Sequence, residues 1–289
     1  MGYAEEILYS TENVAICRTF SAKVVYYGAS RKISAYQVVG LSNMGDRWRK
    51  FIKRLHPEGI PWPGSVLYNA LSSTTIFLRH YELVARDIAH YGTAQALLDI
   101  GTGPGHLLLA LCKTLPEVEL IGIDISPAMI VQAQRNVKTH GCAAHIELQV
   151  AGANALPFAD GVFDHVVSTG SLHHWHDPVN ALSEVHRVLK VGGYALMYDL
   201  VRNMPKVVCE DVRARFGRFR LALLWLHSFE EPFLDVKEMD ALGRRTEFTV
   251  EGTKFTGALC CLVLRKALNS PRNKDKDKEG QPKDAGDSQ

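Results

Sequence analysis

Residues 97–100, Leu-Leu-Asp-Ile, run straight into Gly101-Thr102-Gly103-Pro104-Gly105-His106, after which leucine and alanine fill positions 107–111. A buried strand that breaks into three glycines and re-forms as an apolar helix has few folds open to it. Glycine lacks a Cβ, so Gly101, Gly103 and Gly105 let the backbone turn sharply and approach a bound molecule. The first amides of the helix that follows face the same spot, because no earlier carbonyl is available to them.

The pattern around this turn repeats. Strands are expected at 96–100, 119–123, 146–150, 162–168 and 194–200, separated by helices at 106–114, 126–140 and 178–189. Ser126-Pro127 is a helix start, with serine as cap and proline in the first turn, and Lys190-Val191-Gly192-Gly193 is a helix stop. Leu78, Tyr81, Val84, Ala85 and Ile88 recur at helical spacing just ahead of the first strand. After residue 200 the periodicity predicts helices at 207–227 and 235–244, then strands at 245–250 and 257–264 joined by a turn starting at Glu251-Gly252. Short connections between alternating elements require an α/β fold: a Rossmann-like, seven-stranded, mostly parallel sheet with helices on both faces, closed by a C-terminal β-hairpin.

Residues 1–64 read as an N-terminal extension, partly irregular, ending in the breaker-rich joint of Pro57, Gly59, Pro61, Pro63 and Gly64. Residues 269–289 are rich in Lys, Asp, Gly and Pro with almost no apolar side chains, the composition of a disordered charged tail. With 33 Lys+Arg against 31 Asp+Glu, the net charge of +2 gives no global electrostatic case for DNA or another polyanion. The six cysteines (Cys17, Cys112, Cys142, Cys209, Cys260, Cys261) lack Cys-x-x-Cys spacing and read as reduced, mostly buried thiols. The first residues lack a basic segment leading into an apolar one, and no apolar run approaches membrane-spanning length, so a cytoplasmic protein is expected.

A glycine turn alone does not identify its ligand. The dinucleotide fingerprint needs its third glycine one residue later than Gly105, and a phosphate-binding P-loop needs a lysine where His106 stands. Asp124 closes the second strand, where a carboxylate is placed to accept from both hydroxyls of a ribose.

The run 97–105, Gly-Ile-Asp-Ile-Ser-Pro at 122–127, Ala-Leu-Pro-Phe at 155–158, Phe163-Asp164 and Leu-His-His-Trp at 172–175 together resemble class I S-adenosylmethionine-dependent methyltransferases. The nearest flavour is the ubiquinone/menaquinone biosynthesis C-methyltransferase-like group, and the likeness makes residues 65–268 the methyltransferase domain. It implies S-adenosyl-L-methionine as cofactor, with Gly101, Thr102, Gly103 and Gly105 near its methionine part and Asp124 on the ribose. It further implies that Asp99 orients the turn and holds the amino group. Ile125 and Met129 would flank the adenine, and Ser168 would lie against the methionine carboxylate or amino group. The chain departs from its relatives at Gly152, where they carry Asp or Asn. That leaves the Ala153 N–H and Asn154 to serve the ring, and an affinity loss of about 1 kcal/mol where neither does.

In such an enzyme the protein aligns a nucleophile with the sulfonium methyl and, where needed, removes a proton. His173 is the first candidate base and His174 the second, both past the fourth strand at the edge where open α/β sheets bind ligands. The bland alternative is that this segment shapes the pocket floor and caps the next helix. His173, His174, His176 and Asp177 crowd one short turn, where neighbouring residues rarely converge on one ion, so no metal is expected. Trp225, Phe229 and Phe233 suit either a lid over an apolar substrate or core packing. The leading expectation is methyl transfer to O, C or N of a small, mostly apolar acceptor. RNA or protein methylation is less favoured: the basic clusters at 47–54 and 213–220 support it, but no Asn/Asp-Pro-Pro-Tyr/Phe or Pro-Cys motif occurs. A non-catalytic scaffold of the same fold is the third class, and the oligomeric state is not written in the sequence.

Overall fold

The structure is a computed structural model that describes the backbone of residues 14–19 and 22–27, residue 69, and residues 72–217 and 233–267. Two strands, β1 (Val14–Thr19) and β2 (Ala22–Tyr27), pair antiparallel with each other. Five parallel strands follow: β3 (Ala96–Ile100), β4 (Glu119–Asp124), β5 (Ile146–Val150), β6 (Phe163–Thr169) and β7 (Leu189–Asp199). β8 (Thr249–Thr256) and β9 (Leu259–Arg265) form an antiparallel pair, and the sheet order is β1-β2-β8-β9-β7-β6-β3-β4-β5. The seven strands β3–β9 are the expected Rossmann-like sheet, and β1 and β2 extend it by pairing with β8.

Among the described residues, six helices cover the sheet: α1 (Thr75–Ile88), α2 (His106–Thr114), α3 (Pro127–Thr139), α4 (Pro178–Val188), α5 (Lys206–Phe216) and α6 (Val236–Gly243). Alternate strand residues go to opposite faces. Leu97, Leu120, Val167 and Leu196 pack with Val84, Leu108 and Leu111 of α1 and α2. Leu98, Ile121, Val166 and Ala195 pack with Leu182 and Val185 of α4 and with Met239 of α6. Because β3 pairs with β4 on one side and β6 on the other, the crossovers diverge at its C-terminal end and open a crevice there.

Local expectations fail where tertiary pairing overrides local signals. The hairpin turn falls at Gly257-Ala258, not at Glu251-Gly252, which instead lies at an irregularity inside β8. Gly192 and Gly193 follow the helix stop but are taken into β7, because Gly192 N donates to Lys266 O and Lys266 N to Gly193 O. Leu78 is exposed at 38%, whereas Val84, Ala85 and Ile88 are wholly buried. The helix expected over 207–227 is seen as α5, and most of its remainder, with Trp225 and Phe229, lies outside the described residues, as does the tail 269–289.

Candidate functional site

The glycine turn is fixed by β4. Gly101 N and Thr102 N both donate to Ile123 O, at 2.8 and 2.9 Å. Gly103 N donates to Asp124 Oδ2 at 2.9 Å, and Ser126 N to Asp124 Oδ1 at 2.8 Å, so the acid at the strand tip holds the turn as well. Gly101 has φ of 72°, and a Cβ on it would lie 2.5 Å from Ser171 Cβ, so no other residue fits. α2 starts at Gly105 with no side-chain cap, which leaves its first amides facing the crevice. Across it, Ser126 caps α3 as expected, its Oγ accepting from Met129 N at 3.3 Å.

Two acids meet at this turn. Asp99 is 1% exposed, and burial pushes its carboxyl up to about 7, against the lowering influence of the nearby Thr102 hydroxyl and with the charge of Asp124 adding. Burial also raises Asp124, against the opposing backbone bonds from Ser126 and Gly103. The Thr102 hydroxyl lies near enough to lower the Asp99 carboxyl, but neither Asp99 oxygen nor that hydroxyl reaches a partner at hydrogen-bond geometry among the described residues. Buried polar atoms are rarely left so. Two unpartnered acceptors and a hydroxyl beside a glycine turn fit a ligand that brings an ammonium group, and the nearby Asp124 fits one that brings hydroxyls.

Beyond Asp124 the surface turns apolar. Ile125 is 42% exposed and Met129 is buried behind it. Ala151 N donates to Asp124 O at 3.1 Å, which holds the loop of Gly152, Ala153 and Asn154 beside Ile125. Asn154 Oδ1 is another buried atom with no partner among the described residues. The Ser168 Oγ lies 2.7 Å from Ser171 Oγ, and Ser171 Oγ donates to Ile100 O at 3.2 Å. It ties β6 to β3. Its neighbour Thr169, which sequence reasoning missed, carries the buried hydroxyl without a partner at that strand end.

His173 sits in a 3-10 turn, Leu172–His174, and is 4% exposed. Its Nδ1 lies 2.9 Å from Asp199 Oδ2 and its backbone N donates to the same oxygen at 3.0 Å. Asp199 ends β7, is 3% exposed and accepts also from Leu200 N. No local signal marks this acid, since its partner comes from the adjoining strand crossover 26 residues away. The His173 ring packs on His174 with centroids 4.0 Å apart and on Phe233 at 4.3 Å. Asp177 caps α4 by accepting from Asn180 N, and His176 is exposed. Among the described residues no His, Cys, Asp or Glu group is arranged to hold a metal ion. Of the basic clusters, only Arg213 and Arg215 lie within the described residues, and Arg215 is paired with Asp211 at 2.7 Å.

Solved structures share this architecture. A putative S-adenosyl-L-methionine-dependent methyltransferase of Methanococcus maripaludis matches with a TM-score of 0.55 at 21% identity, over 71% of this chain and 93% of that one. A SAM-dependent methyltransferase of Aquifex aeolicus matches with a TM-score of 0.52 at 17% identity, over 75% and 97%. The fold is the class I methyltransferase fold. In sequence, residues 98–197 match the methyltransferase domain family. The ubiquinone/menaquinone biosynthesis C-methyltransferase UbiE of Geobacter sp. (strain M21) is 32% identical over 160 residues, covering 55% of this chain and 65% of the relative. The demethylmenaquinone methyltransferase of Thermus thermophilus is 37% identical over 115 residues, covering 40% and 51%. The chain spans about half to two thirds of the length of these curated relatives. Residues 98–197 are thus similar to the methyltransferase domain family, and the matched stretch of the chain is similar to the UbiE-like methyltransferases.

Proposed function

We propose that this protein transfers the methyl group of S-adenosylmethionine to a small, mostly apolar acceptor, with His173 receiving the proton that the acceptor loses. The observation that carries the cofactor is the enclosed, unpartnered Asp99 carboxylate beside the glycine turn and Asp124. When bound, S-adenosylmethionine supplies an electrophilic methyl on its sulfonium. Asp99 and Thr102 hold its amino-acid part, Asp124 its ribose hydroxyls, and Ile125 with Met129 the face of its base. Asp199 fixes the His173 ring by accepting from Nδ1, which leaves Nε2 as the proton acceptor. Phe233, stacked on that ring, gives the acceptor pocket an apolar wall and keeps water from it. The similarity to a ubiquinone/menaquinone biosynthesis C-methyltransferase favours carbon as the atom methylated.

The test is transfer of a labelled methyl from S-adenosylmethionine to a cell extract, followed by mass identification of the product. On that product His173→Ala lowers kcat about a hundredfold while cofactor affinity stays within about twofold. Asp199→Asn lowers kcat too, because an amide can turn the imidazole to the wrong tautomer. Equal turnover by wild type and His173→Ala removes the base from the mechanism. Absence of any labelled product, with cofactor bound, favours the scaffold.

A further inference from the structure

The geometry points to Asn154 as the residue that reads the exocyclic group of the cofactor's base, in place of any side chain at position 152. This rests on the methyltransferase reading above. If Asp124 holds the ribose, the base lies past it, over the exposed Ile125 and against the loop that Ala151 N pins to Asp124 O. Along that loop position 152 is vacant: a Cβ on Gly152 would meet only Ile125 Cδ1, at 3.6 Å. Two residues on, Asn154 Oδ1 is enclosed with no hydrogen-bond partner among the described residues, which a folded chain seldom tolerates unless a ligand supplies the donor.

The backbone that carries the amide is held in place by its surroundings. Ala155 N donates to Gly152 O at 3.5 Å, closing the turn, and Asn180 Nδ2 donates to Asn154 O at 3.1 Å from α4. Immediately after, Leu156 N donates to Glu184 Oε2 and Leu156 O accepts from Arg187 Nη2, both at 2.9 Å. The loop thus presents an acceptor from a rigid backbone, and a purine amino group is the matching donor. An amide has a second capability that a carboxylate lacks. Rotated by half a turn, it offers N–H donors, so Asn154 also suits a 6-oxo purine. The base site is therefore less strict about that position than one built on an acid.

Calorimetry on the full chain with S-adenosylhomocysteine and its 6-oxo analogue, S-inosylhomocysteine, tests this. Asn154→Ala weakens S-adenosylhomocysteine about fivefold, the value of one neutral hydrogen bond. Asn154→Asp raises the preference for the adenosyl over the inosyl ligand about tenfold, since a carboxylate only accepts. Gly152→Asp restores the affinity lost in Asn154→Ala. A purely structural Asn154 would change neither the preference nor its rescue. An unchanged preference in Asn154→Asp, wild-type affinity in Asn154→Ala, or a tenfold tightening by Gly152→Asp alone, each of the order of one hydrogen bond, overturns the assignment. If wild type fails to bind S-adenosylhomocysteine, the methyltransferase reading itself falls, which the variant results alone cannot do.

Discussion

Asp99 is the side chain whose chemistry most exceeds its surroundings. It is fully enclosed, has no partner at hydrogen-bond geometry among the described residues, and has its carboxyl raised from 3.8 to about 7 by burial, against the nearby Thr102 hydroxyl and with Asp124 adding. Between those values the folded protein keeps the proton and the unfolded chain has lost it, so stability from this group is full below about pH 4 and falls as pH rises to about 7. Asp99→Asn removes that slope. The ligand-free variant is more stable than wild type at pH 8 by about 1–4 kcal/mol, and it no longer binds S-adenosylhomocysteine. Equal unfolding midpoints at pH 8 would mean that the carboxylate is already compensated in the free protein. The glycines and Asp124 were legible because their signal is local: a strand, a turn and a strand tip within a short stretch. Asp199 and Thr169 were not, because a strand end's partners depend on which strands pair. The Ser168–Ser171 contact was likewise not legible, because it depends on how the loop after β6 folds back.

At the scale of elements, the strand and helix alternation of the parallel half could be read from periodicity, since each unit buries one apolar stripe. The antiparallel half could not, and Lys254 shows why. A lysine breaks an apolar pattern and marks a surface, yet Lys254 in β8 is 1% exposed. It stands opposite Cys261, which stands opposite Tyr198, so all three share the sheet face that α1 covers. Asp87 on α1 answers them: Oδ1 lies 2.5 Å from Lys254 Nζ, and Oδ2 accepts from Tyr198 OH at 2.7 Å and Thr256 Oγ1 at 3.1 Å. The lysine also sits 4.5 Å above the Tyr91 ring. That pairing spans 167 residues and leaves no trace in local sequence. Asp87→Ala takes the carboxylate away from a buried ammonium and two hydroxyls and destabilises by about 3–5 kcal/mol, read as a lowered urea midpoint. Since the network joins α1 to β7 and β8 and includes no residue of the glycine turn, cofactor affinity measured on the folded fraction stays at the wild-type value.

At the scale of the whole molecule, the same crevice that gives the fold its function is where its stability is incomplete. β3, β4 and β6 end there, and Asp99, Thr102, Asn154 and Thr169 leave buried polar atoms unanswered along it. A ligand that answers them binds only the folded chain, so it must raise the unfolding temperature, by about 2.7 kcal/mol of stability at a hundredfold excess over Kd. For a domain of this size that is a shift of about 5–10 °C. The shift also carries the signature of Asp99. With its carboxyl at about 7 in the free protein, roughly one molecule in ten is ionised at pH 6 and nearly all at pH 8. If the ligand's ammonium needs the ionised form, a fixed concentration of S-adenosylhomocysteine is about tenfold less effective at pH 6, a deficit of about 1.4 kcal/mol. Thermal unfolding with and without ligand at the two pH values separates this from a general acid effect on the protein, because the ligand-free runs supply the baseline. A shift of equal size at both pH values would place the ammonium elsewhere than on Asp99, and would leave the turn and Asp124 to hold the cofactor without it.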